Sequence, residues 1–281
     1  IFEMGIEETL KSYFGINYEK HIRKFFCNSN INFKKLCNYL DLIFGSYFIS
    51  DYVLANQVFN KEEYLFINII LLQSVRLFGL LHDYGHLPFS HLFEFAIEDF
   101  YEEISDNDDF QKISNKLKVI VEEEDDIHEF IGKKFTILTL KSIRDKEVKS
   151  LKDEEKVANF LIFEFLILTL EELFKDKDSY LFSLYEIVSS DLDADRLDYV
   201  TRDLYTSGLK YSVDIDRIVK LFKLSERKDE SNDKFQFYPA IQSLYDIDLL
   251  FENRQILYKM VLSHHKVKKF DYILQKLIKI L

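Results

Sequence analysis

A scarcity of helix-breaking residues is the feature that most limits what this chain can fold into. Only seven of its 281 residues are glycine and two are proline, so few positions force a regular helix to end. Apolar residues recur mostly at intervals of three and four, which places them on one face of a helix. The sequence therefore predicts a mainly α fold. We expect helices at 6–14, 32–59, 62–83, 90–105, 109–122, 127–143, 154–174, 178–189, 194–206, 213–221 and 243–280, the last of them broken at least once.

One region departs from the helical pattern. Apolar stretches between residues 221 and 241 flank the polar segment 226–233, which contains turn-forming residues and no apolar side chain. Phe235, Phe237 and Tyr238 suit a short strand. We therefore expect a small β-hairpin near 221–241. Charged stretches elsewhere are predicted as solvated turns between helices, at 102–109, 122–126 and 144–156.

The length and apolar content of the chain suit one large domain. Its apolar residues make up 47% of the chain and are spread over nearly its whole length, without an internal repeat or a low-complexity linker. We therefore expect residues 1–281 to form a single domain. The chain opens with Ile1 rather than methionine, so we expect its native N-terminus to lie outside this sequence, and its C-terminus is left open.

Charge and cysteine content narrow the classes of function. The formal net charge of −12 disfavours a surface that neutralises nucleic-acid phosphates, although it leaves room for a local basic pocket. Cys27 and Cys37 are too few for a disulfide framework and lack the spacing of a zinc motif, which favours a reducing, cytoplasmic compartment. The most apolar segment, 66–81, is interrupted by polar residues such as Arg76, so we expect no membrane span.

Histidines are concentrated in one short motif. Residues 80–94 read LLHDYGHLPFSHLFE, which places three histidines and two carboxylates within thirteen residues. His82 and Asp83 fall at the end of the predicted helix 62–83, where Gly85 can turn the chain and Pro88 can open the next helix. His91 and Glu94 then share a face of that next helix. Two helix ends are therefore predicted to meet in one small volume.

Mixed nitrogen and oxygen donors of this kind predict a divalent-cation site. Imidazole and carboxylate together suit manganese, iron, nickel, cobalt or zinc, whereas sites made of oxygen alone suit magnesium and calcium. The plainer interpretation is that the histidines cap helix ends and the carboxylates are solvated. Clustering of so many such residues beside a glycine and a proline favours the metal site.

A second acidic motif lies at residues 189–203, SSDLDADRLDYVTRD. Asp191, Asp195 and Asp198 recur at helical spacing, as do Asp195, Tyr199 and Arg202, so one helix face concentrates acid, phenol and guanidinium groups. Taken alone, such a helix would be an ordinary exposed face. Its combination with the histidine motif favours a functional interpretation.

The two motifs together resemble the HD superfamily of phosphohydrolases. His82 and Asp83 after an apolar helix, followed by Gly-His-x-Pro-Phe-Ser-His, are most similar to the deoxynucleoside triphosphate triphosphohydrolases, including the SAM-and-HD-domain branch. This resemblance implies an HD-domain helical bundle in which His82, Asp83 and Asp195 bind the metal. It also implies that His86 and His91 hold or neutralise phosphate.

Weaker matches extend the resemblance to proton transfer and substrate binding. The segment Ile127-His-Glu-Phe-Ile-Gly resembles a family segment whose histidine works with a carboxylate beside the scissile phosphate, which implies that His128 acts with Glu94. The helix containing 258–266 resembles one that carries basic substrate contacts. The resemblance further implies that the phosphates and sugar of the substrate are positioned by Arg196, Tyr199, Arg202 and Asp203.

One departure concerns the first metal ligand of the family, the histidine of an Arg-Phe-Glu-His-Ser-Leu-Gly motif. The best match here is residues 1–6, which puts Met4 at the ligand position. A thioether is a poor ligand for a hard divalent cation. The remaining options are a ligand from the missing native N-terminus, a ligand from His21, or a site with reduced metal affinity.

The resemblance implies hydrolysis of a deoxynucleoside triphosphate to a deoxynucleoside and inorganic triphosphate. It implies a nucleotide partner, a homo-oligomer and a divalent cofactor whose identity stays open among manganese, iron, nickel, cobalt, zinc and magnesium. Other HD relatives cleave nucleoside monophosphates, cyclic nucleotides or guanosine polyphosphates. The alternative function is an HD-fold nucleotide-binding or regulatory module with impaired metal binding and no turnover. A purely structural helical interaction protein would leave the histidine clustering unexplained.

Overall fold

The structure is a computed structural model that describes residues 62–105, 110–121, 126–150, 153–179, 181–226, 228 and 235–280. Helices dominate these residues, which confirms the predicted mainly α fold. The α-helices are α1 (Glu62–Leu81), α2 (His91–Ile104), α3 (Gln111–Val121), α4 (Ile127–Ser150), α5 (Asp153–Leu173), α6 (Phe182–Tyr185), α7 (Ala194–Thr206), α8 (Ile215–Lys220), α9 (Leu244–Leu257) and α10 (His265–Ile280). Short 3-10 turns lie at Asp176–Asp178 and Ile241–Ser243. The predicted helices 6–14 and 32–59 lie outside the described residues, as do Met4, His21, Cys27 and Cys37.

The predicted hairpin and the predicted helix break are both confirmed. Strands β1 (Phe222–Glu226) and β2 (Phe235–Pro239) pair antiparallel, with Phe222 opposite Pro239 and Glu226 opposite Phe235. A π-helical segment, Tyr258–Leu262, interrupts the last predicted helix between α9 and α10. π-Helical turns of this kind occur mostly as local bulges in α-helices.

The turn predicted for the charged stretch 144–156 is wrong over 144–150 and 153–156, because α4 continues to Ser150 and α5 begins at Asp153. Leu140, Arg144 and Val148 lie four residues apart on one helix face, and all three are buried. The Arg144 guanidinium pairs with Glu164 of α5 and lies 4.8 Å from the centre of the Phe160 ring. Because Arg144 has a buried acidic partner and an aromatic contact, it can lie on the buried face of the helix. Its charge therefore did not indicate a turn.

The predicted helix 178–189 is also wrong in its extent, since only α6 is α-helical there. After α6 the chain turns, with the backbone N–H groups of Val188 and Ser189 both donating to the Tyr185 carbonyl. The Ala194 N–H then donates to the Ile187 carbonyl. These bonds lead the chain directly into α7.

The described residues belong to two compact units, Ile1–Phe78 with Thr136–Glu172 and Gly79–Phe135 with Leu173–Leu281. The first unit buries most of the apolar side chains of α5, including Phe160 and Leu166. The second contains a core in which α7 packs on α9. That core consists of Leu197, Val200, Leu204, Ile218, Ile247, Leu250 and Leu257. The organisation of residues 1–281 as a single domain stays a prediction.

The second unit contains every described residue of the two sequence motifs, and local contacts hold their helices in place. α2 packs along α10, where Gln275 Nε2 donates to Asp99 Oδ2 at 3.1 Å and Lys279 pairs with Glu103. α7 begins at Ala194 because the Asp193 side chain accepts a 2.7 Å hydrogen bond from the Arg196 N–H. Such an N-cap satisfies a backbone donor of the first helical turn. None of the helices in the described ranges combines the length and apolar character needed to cross a membrane.

Candidate metal and proton-transfer site

Three residues from two distant segments form what we call the metal triad: His82, Asp83 and Asp195. One ligand atom from each lies within 4.8 Å of the others. His82 Nε2 is 3.3 Å from Asp83 Oδ1, and Asp195 lies in the first turn of α7. The structure therefore brings together the three predicted metal ligands, although their role as ligands stays a prediction.

The orientation of His82 suits a metal ligand. Its Nδ1 atom is 2.9 Å from the Gly79 carbonyl oxygen, which can only accept a hydrogen bond, and its Nε2 atom is directed at Asp83. Metal-binding histidines commonly use one ring nitrogen for the metal and donate the other to a carbonyl or carboxylate. The donor set therefore fits a borderline divalent cation.

The electrostatics of the triad also suit a cation. Burial raises the pKa of the Asp195 carboxyl above its ordinary value, His82 lowers it, and the nearby Asp83 raises it further. Two carboxylates held this close repel each other when both are ionised. A divalent cation between them would favour the ionised form of both.

Four residues beside the triad form what we call the histidine cluster: His86, His91, Glu94 and His128. His128 Nδ1 lies 3.1 Å from Glu94 Oε2, a hydrogen bond between buried side chains 34 residues apart. His86 Nδ1 and His91 Nδ1 each lie 3.5 Å from a Glu94 oxygen. The His86 and His128 rings stack with their centres 4.1 Å apart. The structure thus brings all four predicted catalytic residues together.

The stacked arrangement disfavours charge on His86. Burial lowers the pKa of His86, and the neighbouring His128 lowers it further, while Asp83 raises it. His86 Nε2 is 3.4 Å from Asp83 Oδ1, so His86 contacts the metal triad as well as Glu94. The cluster and the triad are therefore adjoining parts of one site.

Two glycines allow the loop after α1 to approach α4 closely. A Cβ atom on Gly85 would lie 1.9 Å from the His128 carbonyl oxygen and 2.4 Å from the Gly132 nitrogen. A Cβ on Gly132 would lie 3.1 Å from the Gly85 nitrogen. Gly85 is therefore required for this approach. Among the described glycines only Gly208 has a positive φ. The predicted turn at Gly85 therefore does not use a left-handed backbone.

The loop before α2 carries backbone strain. Phe89 and Ser90 have φ values of 67° and 53°, in the left-handed region that non-glycine residues rarely adopt. Each such residue costs on the order of 1–3 kcal/mol, and strain of this kind concentrates at functional sites. The Ser90 hydroxyl lies 3.3 Å from His86 Nδ1. α2 begins at His91, so Pro88 does not open it as predicted.

The predicted substrate-binding residues are already engaged in contacts within the chain. Arg196 pairs with Asp193 at 2.8 Å, and Arg202 pairs with Asp198 and with Asp203. The Tyr199 hydroxyl accepts a 2.8 Å hydrogen bond from Arg254 Nε, and burial raises the pKa of Tyr199. Their roles toward a substrate stay predictions.

Sequence reasoning missed several residues that shape the site. Asp193, which caps α7, carried an N-cap signal two residues before Asp195 and could have been found. Ser90 and Arg254 gave no local signal, because their contacts with His86 and Tyr199 depend on the fold. Gly132 lay within the quoted Ile127–Gly132 match, but its contact with Gly85 depends on the fold too.

Comparison with known proteins gives distant relatives. No family model matches the chain. It is 31% identical over 178 residues to an uncharacterized protein of Mycoplasma pneumoniae, a match that covers 62% of this chain and 34% of that protein. A Mycoplasma genitalium protein, also uncharacterized, is 31% identical over 162 residues, which cover 58% of this chain and 31% of that protein. A third relative, from Acanthamoeba polyphaga mimivirus, is named as an HD domain-containing protein and is 23% identical over 208 residues, covering 73% of this chain and 36% of that protein.

These relatives bear on the superfamily but not on the substrate. The matched part of the chain spans about a third of the length of each curated relative. The likeness to the mimivirus protein, together with the grouped histidines and carboxylates, supports a place in the HD superfamily. Both observations are compatible with a divalent metal and with metal-dependent hydrolysis. The narrower resemblance to triphosphohydrolases stays a prediction.

Proposed function

We propose that this chain is an HD-type, metal-dependent phosphohydrolase that acts on deoxynucleoside triphosphates and releases a deoxynucleoside and inorganic triphosphate. The observation that carries the proposal is the juxtaposition of the metal triad with the histidine cluster, joined by the 3.4 Å contact between His86 and Asp83. A cation site beside an acid–base pair is an arrangement that can catalyse hydrolysis of a phosphate ester.

The metal triad would hold the cation. A divalent cation in such a site polarises a phosphoryl oxygen and lowers the pKa of a water molecule. His82 is oriented by the Gly79 carbonyl, and Asp83 and Asp195 supply the negative charge that favours a cation over an anion. The substrate phosphates would enter from the exposed side, where Asp83 has 52% of its side chain accessible.

The histidine cluster would handle protons and phosphate charge. Glu94 and His128 share a hydrogen bond, and its proton can reside on His128 Nδ1 or on Glu94 Oε2. His86 and His91 flank this pair, so either can donate to a phosphate oxygen. General acid–base catalysis by a positioned pair of this kind contributes roughly 10²–10⁴-fold to a rate.

The choice of a deoxynucleoside triphosphate rests on motif resemblance, and product analysis tests it. The full chain, freed of metal and then supplied with manganese, is incubated with each of the four deoxynucleoside triphosphates, and the products are separated by ion exchange. We expect a deoxynucleoside and inorganic triphosphate. A nucleoside monophosphate or orthophosphate as product would exclude the triphosphohydrolase reaction while leaving a phosphohydrolase.

Two variants separate turnover from contaminating activity. Asp83→Asn should abolish turnover, whereas Asp248→Asn, an exposed acid on α9, should leave it unchanged. Absence of turnover in the wild type, combined with thermal stabilisation by a nucleotide without metal, would instead support a nucleotide-binding or regulatory module.

A further inference from the structure

The histidine cluster has the spacing of a metal site in its own right. Two ligands bound tetrahedrally at about 2.0–2.1 Å from zinc lie roughly 3.4 Å from each other. The three imidazole Nδ1 atoms lie 3.1, 3.5 and 3.5 Å from the Glu94 carboxylate oxygens. One ligand atom from each of the four residues lies within 4.8 Å of the others. The four side chains therefore lie within reach of one cation, and the stacked His86 and His128 rings, now 12° apart in plane, would tilt to direct a nitrogen of each at it.

The Glu94 carboxylate gives an independent reason to expect a ligand. Its residue is only 4% exposed, yet its Oε1 atom makes no hydrogen bond within the part of the chain that the structure describes. A buried carboxylate oxygen without a partner is costly, because it has lost its hydration. The His86 Nδ1 atom lies 3.5 Å from this oxygen and 3.3 Å from the Ser90 hydroxyl.

We propose that His86, His91, Glu94 and His128 form a second divalent-cation site, of the class that takes zinc, and that a cation there inhibits hydrolysis. Three neutral imidazoles and one carboxylate make a four-coordinate nitrogen-rich set, which suits zinc. Zinc also binds such donors more tightly than manganese does. The inhibitory part rests on the proposed function, since a cation on Glu94 and His128 would occupy the atoms that transfer the proton.

The two cation sites can be separated by substitution, because they adjoin without sharing a residue. The triad contains His82, Asp83 and Asp195, and the cluster contains the other four residues. Removing a triad ligand should therefore leave the cluster intact. His91 is a suitable cluster residue to change, since 56% of its side chain is exposed and its loss should not unfold the protein.

The first experiment counts bound zinc. The metal-free full chain is titrated with zinc against a chelating indicator, and bound zinc is counted by elemental analysis after gel filtration. We expect Glu94→Gln and His91→Asn each to bind one equivalent of zinc fewer than the wild type, through loss of the cluster site. Asp195→Asn should also bind one equivalent fewer, through loss of the triad site. The double variant Asp195→Asn with His91→Asn should therefore bind two equivalents fewer. Glu98→Gln, one turn further along α2, is the matched control and should bind as the wild type does.

The second experiment adds zinc to the manganese-loaded wild type and follows turnover together with bound manganese. One equivalent of zinc should lower turnover at least tenfold while manganese stays bound. Equal zinc counts for the wild type, Glu94→Gln and His91→Asn would overturn the second site, and displacement of manganese by zinc would overturn the inhibition. If the wild type turns over no nucleotide, the proposed function fails separately, and the zinc count still decides the second site.

Discussion

The metal triad and the histidine cluster lie side by side, yet their carboxylates differ in burial and in the groups that face them. Glu94, at the centre of the cluster, is buried and faces three imidazoles of the same chain, whereas Asp83 of the triad is half exposed. Burial raises the pKa of Asp195, His82 lowers it and Asp83 raises it again, because two carboxylates this close repel each other when both are ionised. Glu94 thus has imidazoles of the same chain beside it, although its Oε1 atom makes no hydrogen bond among the described residues, whereas the triad brings two carboxylates together with a single imidazole.

The largest effect should come from removing a triad carboxylate. Asp195→Asn keeps the shape of the side chain and removes a charged ligand, so we expect loss of the triad cation and a fall in turnover of about 10³-fold or more, given that a metal supplies several kcal/mol. Elemental analysis and initial rates measure both. Far-ultraviolet circular dichroism should stay unchanged. A variant that lost activity but kept its metal would show that Asp195 acts otherwise than as a ligand.

Changing the cluster should separate proton transfer from metal binding at the triad. Glu94→Gln removes the negative charge and one of the two acceptor oxygens beside His128, so we expect kcat to fall by roughly 10²–10⁴-fold, while one manganese ion stays bound. Glu98→Gln removes a carboxylate from the same helix and should change kcat less than twofold. Loss of the triad manganese in Glu94→Gln would contradict the division of the site into two parts.

Disturbing the close approach of the loop after α1 to α4 should affect the histidine cluster more than the metal triad. In Gly85→Ala the new methyl group would meet the His128 carbonyl, and we expect a loss of about 1–3 kcal/mol in the free energy of unfolding. Turnover should fall on the order of 10²-fold, since displacement of a catalytic group by about 1 Å costs that much. Urea denaturation and initial rates are the measurements.

Gly79→Ala serves as the matched control for this substitution. Its Cβ would lie 3.8 Å from Val188 Cγ2, an ordinary contact. Alanine is favoured over glycine inside a helix by roughly 0.5–1 kcal/mol, so this variant should be as stable as the wild type or more so. Equal stability of Gly85→Ala and Gly79→Ala would refute the close approach.

The elements that sequence predicted best are those with local signals. The bounds of α7 agree with the predicted 194–206, because Asp193 caps the helix and Gly208, with φ of 78°, allows the chain to leave it. Helix ends defined by neighbouring residues can be predicted from a short window. The continuation of α4 past Arg144 could not, since the partner of Arg144 is Glu164, twenty residues away.

The candidate site likewise contains residues with a local sequence signal and contacts that depend on the fold. Residue type and spacing indicated His82, Asp83, His86, His91 and Glu94 as a group, and only resemblance connected them to Asp195 and His128. The contacts that make the site work join residues far apart in the chain, such as Glu94 with His128 and Gly85 with Gly132. Neither the stacking of His86 on His128 nor the strained backbone of Phe89 has a signature in the sequence alone.

The smallest effect should come from Arg202, which belongs to neither part of the site. Its guanidinium is exposed and pairs with Asp198 and Asp203, and exposed ion pairs contribute under about 1 kcal/mol to stability. Arg202→Ala should therefore keep its metal and its resistance to urea. If Arg202 exchanges these acids for a substrate phosphate, KM should rise about tenfold, which corresponds to the roughly 1.5 kcal/mol of one charged hydrogen bond, with kcat within twofold. A fall in kcat at unchanged KM would instead show that Arg202 acts in the chemical step. α7 would then contribute a residue to catalysis in addition to the triad ligand Asp195.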